Sequence, residues 1–334
     1  MKRFFKVFFC GLLFTLISCE EHLISQDPRS DNLSNFDFLW EDVKNRYSFF
    51  ELKEIDWEEI RRKYRPLVQH QMNSQELFDL MADMLYELKD GHVNLTSEFD
   101  RSRNWDWYLG YPSNFNSAIV ERNYLGRNFR LTGPLRNQVI DSVLYIYYPS
   151  FSNTISESHL EILMHRAAPL KGIIIDVRNN GGGNLGNARK LASCFTDQEV
   201  QYAKERRKTG PGPNDFSAWQ TLSFPSREGR RFEGKVVVLT NRACYSATSF
   251  FAQMMKTLPN VTVLGDQTGG GGGAPSSGEL PNGWQYRLSV TQTVDLQGEQ
   301  IEPGVAVDIP VQLRDGDLQR NRDTLIEAAL RLLR

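Results

Sequence analysis

Ser246 lies between a run of β-branched and apolar residues, GKVVVLT (234–240), and an apolar helical pattern that begins at the next residue. A serine at such a turn from strand to helix can act as a nucleophile if a base accepts its proton. An isolated serine in this position is more often the N-cap of the helix. The flanks are not the G-x-S-x-G of a nucleophile elbow, and no histidine or lysine follows within one helical turn. A proton acceptor for Ser246 must therefore come from another part of the chain.

Three turn-rich segments each follow an apolar, strand-like run: DVRNNGGGN (176–184), NRACYS (241–246) and GDQTGGGGG (265–273). Loops at the ends of neighbouring strands come together in space, so we expect these segments to line one cleft. The first segment has neither the G-x-G-x-x-G of dinucleotide sites nor the G-K-[ST] of phosphate loops. Its backbone amides, which no side chain obstructs, suit the binding of an oxyanion, as does the amide of Ala247.

The segments around these loops must form the scaffold that positions them. From Val143 onward, apolar strand-like runs alternate with helical patterns, which predicts crossover units over a largely parallel sheet. Before that point, apolar residues at helical spacing predict three helices that end at Lys89, the third with Ser74 as its N-cap. Residues 203–231 interrupt the alternation with a Gly- and Pro-rich stretch, which we expect to form a surface loop or hairpin.

Composition limits the possible classes of protein. The 334 residues include 40% hydrophobic and 24% charged residues, which is typical of a soluble globular chain and not of a disordered one. The formal net charge of -2 gives no long-range attraction for nucleic acid, and the basic runs at 204–208 and 227–231 fit solvated loops. No pair of histidines or cysteines has the spacing of a metal site, so the sequence predicts neither a metal nor another cofactor.

The first 19 residues resemble a bacterial lipoprotein signal peptide. MKRFFK supplies three cations, VFFCGLLFTLI a short apolar core, and LISC ends at Cys19, which would be lipidated and become the mature N-terminus. The alternatives are an ordinary secretory signal or a membrane-spanning anchor, although the apolar run is short for a span. Residues 20–33 are polar and aperiodic, as in a tether. We therefore expect a lipid-anchored protein of the cell envelope, with Cys194 and Cys244 either paired or free.

Four motifs in a fixed order resemble those of a known family. They are D-V-R-N-N-G-G-G, N-R-x-x-x-S-A at the start of a helix, V-x-G-x-x-T-G, and E-P-G-V-A-V-D-I-P-V near the end of the chain. Together they resemble the C-terminal processing peptidase superfamily, which includes tail-specific proteases, the core of tricorn protease and the repeats of interphotoreceptor retinoid-binding protein. L-K-D-G-H at residues 88–92 is similar to the tricorn-like branch. The resemblance covers about residues 34–312.

The resemblance implies an α/β (α+β) fold with a crotonase-like core of ββα units. We expect an N-terminal helical domain over residues 34–90 and the peptidase core over residues 91–334. Many members of the superfamily recognise a free C-terminus through a PDZ insert. Residues 97–142 take that place here and are too short for a full PDZ domain. Whether this chain recognises C-termini therefore stays open.

The resemblance also implies roles for residues of the site. Ser246 matches the nucleophile of a serine endopeptidase, and Gly181 or Gly182, together with Ala247, matches the oxyanion hole. Tail-specific members carry a lysine general base in T-x-G-K-G, but Gly271 stands at that position in this chain. A Ser-Lys pair of that kind is therefore excluded.

The tricorn-like branch takes its base, a histidine, from the segment before the core, and His92 matches it. The unperturbed pKa of histidine, about 6.5, predicts a rate that rises through one transition near neutral pH. Lys256, the next lysine upstream of Gly271, lies in the same predicted helix as the nucleophile. Glu302, before the G-V motif, matches the residue that orients the histidine, and Asp90 is the alternative. The remaining histidines do not adjoin a glycine turn: His22, His70, His159 and His165.

The sequence thus predicts an envelope-tethered serine endopeptidase that acts on peptide or protein substrates. One alternative is a catalytically silent lipoprotein that binds apolar ligands or peptides on the same fold. Another is an acyl-CoA enzyme of the crotonase fold, which the serine at the helix start and the lack of an acid pair near the glycine loop disfavour. Substrate preference, membrane leaflet and oligomeric state stay open.

Overall fold

The computed structural model describes residues 30–105 and 110–334. The expected signal peptide, the Cys19 lipidation site and most of the expected tether lie outside the described residues. Within the two described ranges, no helix is both long enough and apolar enough to cross a membrane.

Three amphipathic helices begin the described chain: α1 (Asn32–Arg46), α2 (Trp57–Tyr64) and α3 (Ser74–Tyr86). Each has an Asp or Asn at its N-cap whose side chain accepts a hydrogen bond from an amide of the first turn. The N-cap of α3 is Asn73, so the expectation that Ser74 caps this helix was wrong. Asn73 and Glu76 form a reciprocal capping box, which makes Ser74 the first helical residue.

The strands and the remaining helices follow in chain order. The strands are β1 (Asn94–Thr96), β2 (Arg130–Thr132), β3 (Leu135–Ile140), β4 (Val143–Tyr147), β5 (Gly172–Asp176), β6 (Val200–Arg207), β7 (Gln220–Phe224), β8 (Lys235–Thr240), β9 (Val261–Gly265), β10 (Pro275–Glu279), β11 (Gln285–Ser289), β12 (Thr291–Val294) and β13 (Ile309–Pro310). The helices are α4 (Ser117–Ile119), which continues as a π-helical turn (Val120–Leu125), α5 (Glu157–Ala167), α6 (Leu185–Ala192), α7 (Ala247–Lys256), α8 (Asp315–Gln319) and α9 (Thr324–Leu333).

Strands from residues 130–310 form a central seven-stranded sheet with the order β13-β9-β8-β5-β4-β3-β2. Strands β4, β5, β8, β9 and β13 are parallel, and β2 and β3 join as an antiparallel edge. Alternate residues of each central strand point to opposite faces: Ile173 and Ile175 pack towards α5, α6 and α7, whereas Ile174 packs towards α9. The parallel crossover arrangement expected from the alternation of strands and helices is therefore confirmed.

Two small antiparallel sheets flank the central one. The first, β12-β6-β7, contains the hairpin expected within residues 203–231. The second, β1-β11-β10, joins the strand that follows His92 to two strands from late in the chain.

The N-terminal helices do not have a hydrophobic core of their own. Helices α1 and α3 pack in one core with residues of β1 and of the β10–β11 region, including Leu280, Trp284 and Leu288. A boundary at residue 90 therefore does not separate two independent cores. The physical reason is that three short helices cannot bury their apolar faces against each other alone, and residues 280–290 supply the missing surface.

Candidate active site

The site forms where β5, β8 and β9 end, at one edge of the central sheet. The loops after β5 and β8 line a cleft of about 550 Å³, in which Ser246 and His92 face each other. The third loop, residues 265–273, does not line this cleft as expected. It lies beneath Ser246, where the carbonyl of Gly270 accepts hydrogen bonds from the Ser246 amide (2.8 Å) and from the Ser249 hydroxyl (2.7 Å).

Ser246 occupies the N-cap position of α7, but its side chain does not cap the helix. Its backbone has φ 57° and ψ -123°, a conformation that a residue with a Cβ rarely adopts and that costs roughly 1–3 kcal/mol. The hydroxyl oxygen instead lies 2.9 Å from Nε2 of His92. The strained turn thus presents the hydroxyl to a base and not to the helix, which is the geometry of an activated nucleophile.

His92 is held by a tight turn before β1. The carboxylate of Asp90 accepts a hydrogen bond from the His92 amide (2.8 Å), and the Val93 amide donates to the Asp90 carbonyl (3.0 Å). The ring of Tyr245 packs on the imidazole with 4.9 Å between ring centroids. The position of the imidazole is thereby fixed by the turn at Asp90 and by Tyr245, the residue before Ser246.

Burial lowers the pKa of His92 from its usual 6.5 to about 4. The negative charge of Asp90 opposes this shift, whereas the positive charges of Arg287 and Lys53 add to it. His92 is therefore neutral at pH 7 and able to accept a proton. The rate is expected to fall only in acid, near pH 4, and not at the near-neutral transition that an unperturbed histidine would give.

Glu302 was expected to orient His92, with Asp90 as the alternative, but the structure shows no hydrogen bond from the carboxylate of either residue to the ring of His92. Glu302 forms an ion pair with Lys53 (2.8 Å) and accepts from the amide of Gly272 (2.9 Å). Asp90 lies 3.8 Å from the same Lys53 ammonium and 3.3 Å from the Tyr245 hydroxyl. The two carboxylates and Lys53 form a buried cluster behind the histidine.

The charges of this cluster oppose one another. Burial raises the pKa of Glu302 to about 7, although Lys53 acts in the other direction. Burial also disfavours ionised Asp90, but Lys53 and His92 hold its pKa below the usual value. Asp90 therefore keeps a negative charge near the imidazole, which would stabilise an imidazolium as it forms.

Of the two glycines expected in the oxyanion hole, one has its amide already engaged. Gly182 donates to the side-chain oxygen of Asn180 (3.0 Å). A Cβ at Gly182 would lie 2.6 Å from the Tyr245 carbonyl and 2.9 Å from the Ser246 Cβ, so only glycine fits there. The amides of Gly181 and Ala247 find no acceptor within the described part of the chain, and both residues line the cleft. The geometry favours Gly181 over Gly182 as the partner of Ala247.

Asn180 was missed in the sequence analysis. Its side-chain oxygen also accepts from the Thr248 hydroxyl (2.8 Å), and its amide donates to the Tyr148 carbonyl (2.9 Å). It therefore fixes the glycine loop to the first turn of α7, which sets the spacing between the two free amides. The paired asparagines before the glycines were the available signal, because a side-chain amide at a turn can bind neighbouring backbone groups.

Neither of the lysine positions that the sequence analysis weighed can supply a base to Ser246. Lys256 donates to the carbonyl of Ala306 (2.8 Å) at the other end of α7. Gly271 has φ 78°, and a Cβ there would lie 2.6 Å from the Tyr245 ring. Tyr245 thus occupies the space that a lysine at position 271 would need.

A buried ion network holds the first residues of the glycine loop. Arg178 pairs with Asp176 (2.6 Å) and with Asp323 (3.0 Å), and all three side chains are fully buried. Asp323 is the N-cap of α9, so the network ties the C-terminal helix to the loop. Cys194 and Cys244 are also buried, and they are free thiols and not a disulfide. In the described residues, no cluster of His, Cys, Asp or Glu has the arrangement of a metal site.

Residues 142–311 match the family model Peptidase family S41, and residues 28–86 match the model Tricorn protease C1 domain. The first match covers half of the chain, and the chain therefore belongs to peptidase family S41. This membership confirms the expectations of a C-terminal processing peptidase family and of a serine-type peptidase class, and the structure confirms the expected α/β core.

Individual relatives agree with the family. A crystal structure described as "a putative peptidase", from Parabacteroides merdae ATCC 43184, is 41% identical with a TM-score of 0.86 and covers 91% of this chain and 97% of that chain. A Probable CtpA-like serine protease of Staphylococcus aureus (strain COL) is 31% identical over 147 residues, 42% of this chain and 28% of that protein. The Carboxy-terminal processing protease CtpB of Bacillus subtilis (strain 168) is 25% identical over 185 residues, 53% of this chain and 36% of that protein. The chain thus spans about a third of the length of these two curated relatives.

Proposed function

We propose that this protein is a serine endopeptidase in which Ser246 attacks a peptide carbonyl and His92 accepts the serine proton. The observation that carries the proposal is the 2.9 Å contact between the Ser246 hydroxyl and Nε2 of His92, made by a serine at positive φ. A helix-capping serine would have no need of the strained backbone or of a buried neutral histidine.

The reaction follows from this geometry. The Ser246 oxygen bonds to the carbonyl carbon as its proton passes to His92, and the amides of Gly181 and Ala247 donate to the oxyanion. His92 then gives the proton to the departing amine, which leaves an acyl-serine. Water, deprotonated by the same histidine, attacks the acyl carbon and releases the acid, and the proton returns to Ser246. Asp90 stabilises the transient imidazolium from behind the ring, because its carboxylate raises the pKa of His92.

A fluorophosphonate probe tests this function because it reacts with base-activated serines and not with capping ones. We expect the probe to form one adduct on the folded protein, mapped by mass spectrometry of peptides to Ser246. The heat-unfolded protein, in which the contact with His92 is lost, is the matched control and should not react. An adduct on another serine would assign the nucleophile elsewhere, and the lack of any adduct would favour a silent binding protein.

We also propose that the mature protein is anchored in the cell envelope by a lipid on Cys19. The support is the sequence alone: three cations, a short apolar core and L-I-S-C in order. Cys19→Ala should move the protein from the membrane fraction to the soluble fraction, since anchoring depends on that acylated residue. Cys194→Ala is the matched control and should stay with the membrane. Membrane retention of the Cys19 variant would instead indicate an uncleaved apolar anchor.

A further inference from the structure

One wall of the catalytic cleft carries arginines without carboxylate partners. Arg101, Arg103 and Arg287 all line the cleft on the side of His92. None of the three forms an ion pair with an acidic residue in the described ranges. Arg101 makes one long hydrogen bond, 3.3 Å, to the side chain of Asn94. Unpaired arginines are ordinary on a free surface, but here they border the space in which a substrate must lie.

The sheet places Arg287 close to the base. Arg287 on β11 pairs in register with Asn94 on β1, and Asn94 follows His92 by two residues. Arg287 is half-buried, and burial together with the charge of Arg101 lowers the pKa of its guanidinium. Arg101 is exposed and Arg287 is half-buried, so only Arg287 is partly removed from water; the charge of Asp90 acts on Arg287 from a distance, but neither guanidinium forms an ion pair with a carboxylate of the described residues. The two guanidinium groups together gain free energy when a carboxylate enters.

The opposite wall differs in character. It is lined by the apolar side chains of Leu185, Leu222 and Phe250. The acidic side chain there, Glu205, accepts a hydrogen bond from the Thr291 hydroxyl (3.1 Å) and is on the far sheet β12-β6-β7. Three arginines thus lie beside the base, whereas the surface across from them is mainly apolar and carries one cation, Arg189, and one carboxylate, Glu205.

We propose that Arg287 and Arg101 form a carboxylate-binding subsite beside the catalytic pair, so that the peptidase prefers peptides with a carboxylate next to the scissile bond. The proposal rests on the function proposed above. A guanidinium fork matches a carboxylate in shape and charge, and a partly buried fork discriminates more strongly than an exposed one. The carboxylate is either the side chain of an Asp or Glu or the C-terminal carboxylate of a peptide cut near its end.

The subsite also acts on the base. Three charged groups surround His92: Asp90, which raises its pKa, and Arg287 and Lys53, which lower it. A carboxylate bound to Arg287 would offset one of the two positive charges and make the imidazole a stronger base. An acidic substrate would thereby strengthen the base that accepts the proton of Ser246.

Competition with the fluorophosphonate probe measures the preference without requiring that a test peptide be cleaved. The peptides are matched pairs that differ by Glu against Gln at one internal position, and pairs that differ by a free against an amidated C-terminus. In one of the two kinds of pair, we expect the peptide that carries the carboxylate to halve the labelling rate of Ser246 at about one tenth of the concentration that its matched partner requires. Stronger competition by the peptide with internal Glu would show that the subsite binds an acidic side chain. Stronger competition by the peptide with the free C-terminus would show that it binds the C-terminal carboxylate. If Ser246 is labelled but neither kind of carboxylate strengthens the competition, the proposed subsite is refuted and the proposed function still stands.

Variants locate the subsite. Arg287→Gln and Arg101→Gln should each reduce the tenfold preference to about twofold or less, whereas Arg189→Gln, on the opposite wall of the cleft, should keep it. Loss of the preference in Arg189→Gln alone would place the carboxylate elsewhere and refute the assignment.

The pH dependence of labelling is a second test, because a purely structural role of Arg287 would not change its midpoint. The wild-type labelling rate should fall with a midpoint near pH 4, where His92 becomes protonated. In Arg287→Gln this midpoint should move to higher pH, because a positive charge that opposes the imidazolium has been removed. An unchanged midpoint would show that Arg287 is too far from the base for the proposed subsite.

Discussion

Alanine at Ser246 or at His92 is expected to lower the turnover of a cleavable peptide by about 10⁴- to 10⁶-fold, and alanine at both positions to lower it no further. The two side chains share one contact of 2.9 Å, so either substitution removes the same activated nucleophile. The measurement is the turnover number of the two single variants and the double variant under substrate saturation. Residual turnover should be similar in all three, since the amides of Gly181 and Ala247 remain.

Two controls accompany these variants. Lys256→Ala removes the lysine of the nucleophile's helix, and His165→Ala removes an exposed histidine of α5, and both should leave turnover within about twofold. If His92→Ala kept most of the turnover, or if the losses of the two single variants multiplied in the double variant, Ser246 and His92 would not act as one unit.

Methionine at Arg178 is expected to reduce the free energy of unfolding by about 3–5 kcal/mol. The arginine is fully buried between Asp176 and Asp323, and its removal leaves two carboxylates in the interior with no cation between them. Burial already raises the pKa of Asp323, and Arg178 is the main group that opposes this. Unfolding by urea, followed by tryptophan fluorescence, measures the change in free energy.

A matched ion pair on the surface provides the control. Arg136 pairs with Glu121 at 3.1 Å, but both side chains are substantially exposed. Arg136→Met should therefore change the free energy of unfolding by less than about 1 kcal/mol. Equal effects of the two substitutions would mean that the Arg178 network contributes no more than an exposed pair.

The sequence was sufficient to predict those site residues that belong to short motifs directly after a strand. Ser246, Gly181 and Ala247 follow two apolar runs whose ends meet in any parallel sheet, so their proximity could be foreseen. His92 lies outside the sheet, and its pairing with Ser246 came from the resemblance of L-K-D-G-H to the tricorn-like branch.

The electrostatics of the site could not be foreseen in the same way. Lys53 lies in a short connection between α1 and α2 whose pattern carries no sign of function, yet it meets Glu302 and Asp90 behind the base. The pKa of His92 depends on its burial and on the charges of Asp90, Arg287 and Lys53, which come from three segments of the chain. From the sequence alone, only the unperturbed value could be expected. Contacts between side chains that are far apart in sequence leave no periodic pattern.

The packing of the N-terminal helices was missed for a related reason. Apolar residues at helical spacing show that a helix buries one face, but not which surface covers it. Here the covering surface is supplied by residues 280–290, from the far end of the catalytic region.

The catalytic pair is divided between two hydrophobic cores. Val93, next to His92, is buried in the core that the N-terminal helices share with residues 280–290, whereas Ala247, next to Ser246, is buried in the core of the central sheet. Ser246 and His92 are 154 positions apart in sequence, so we expect their contact to require that both cores have formed and packed together. A nascent or partly unfolded chain therefore has no working nucleophile, even when one of its cores is complete. We therefore expect the chain to cleave neither neighbouring proteins nor unfolded copies of itself until it has folded completely.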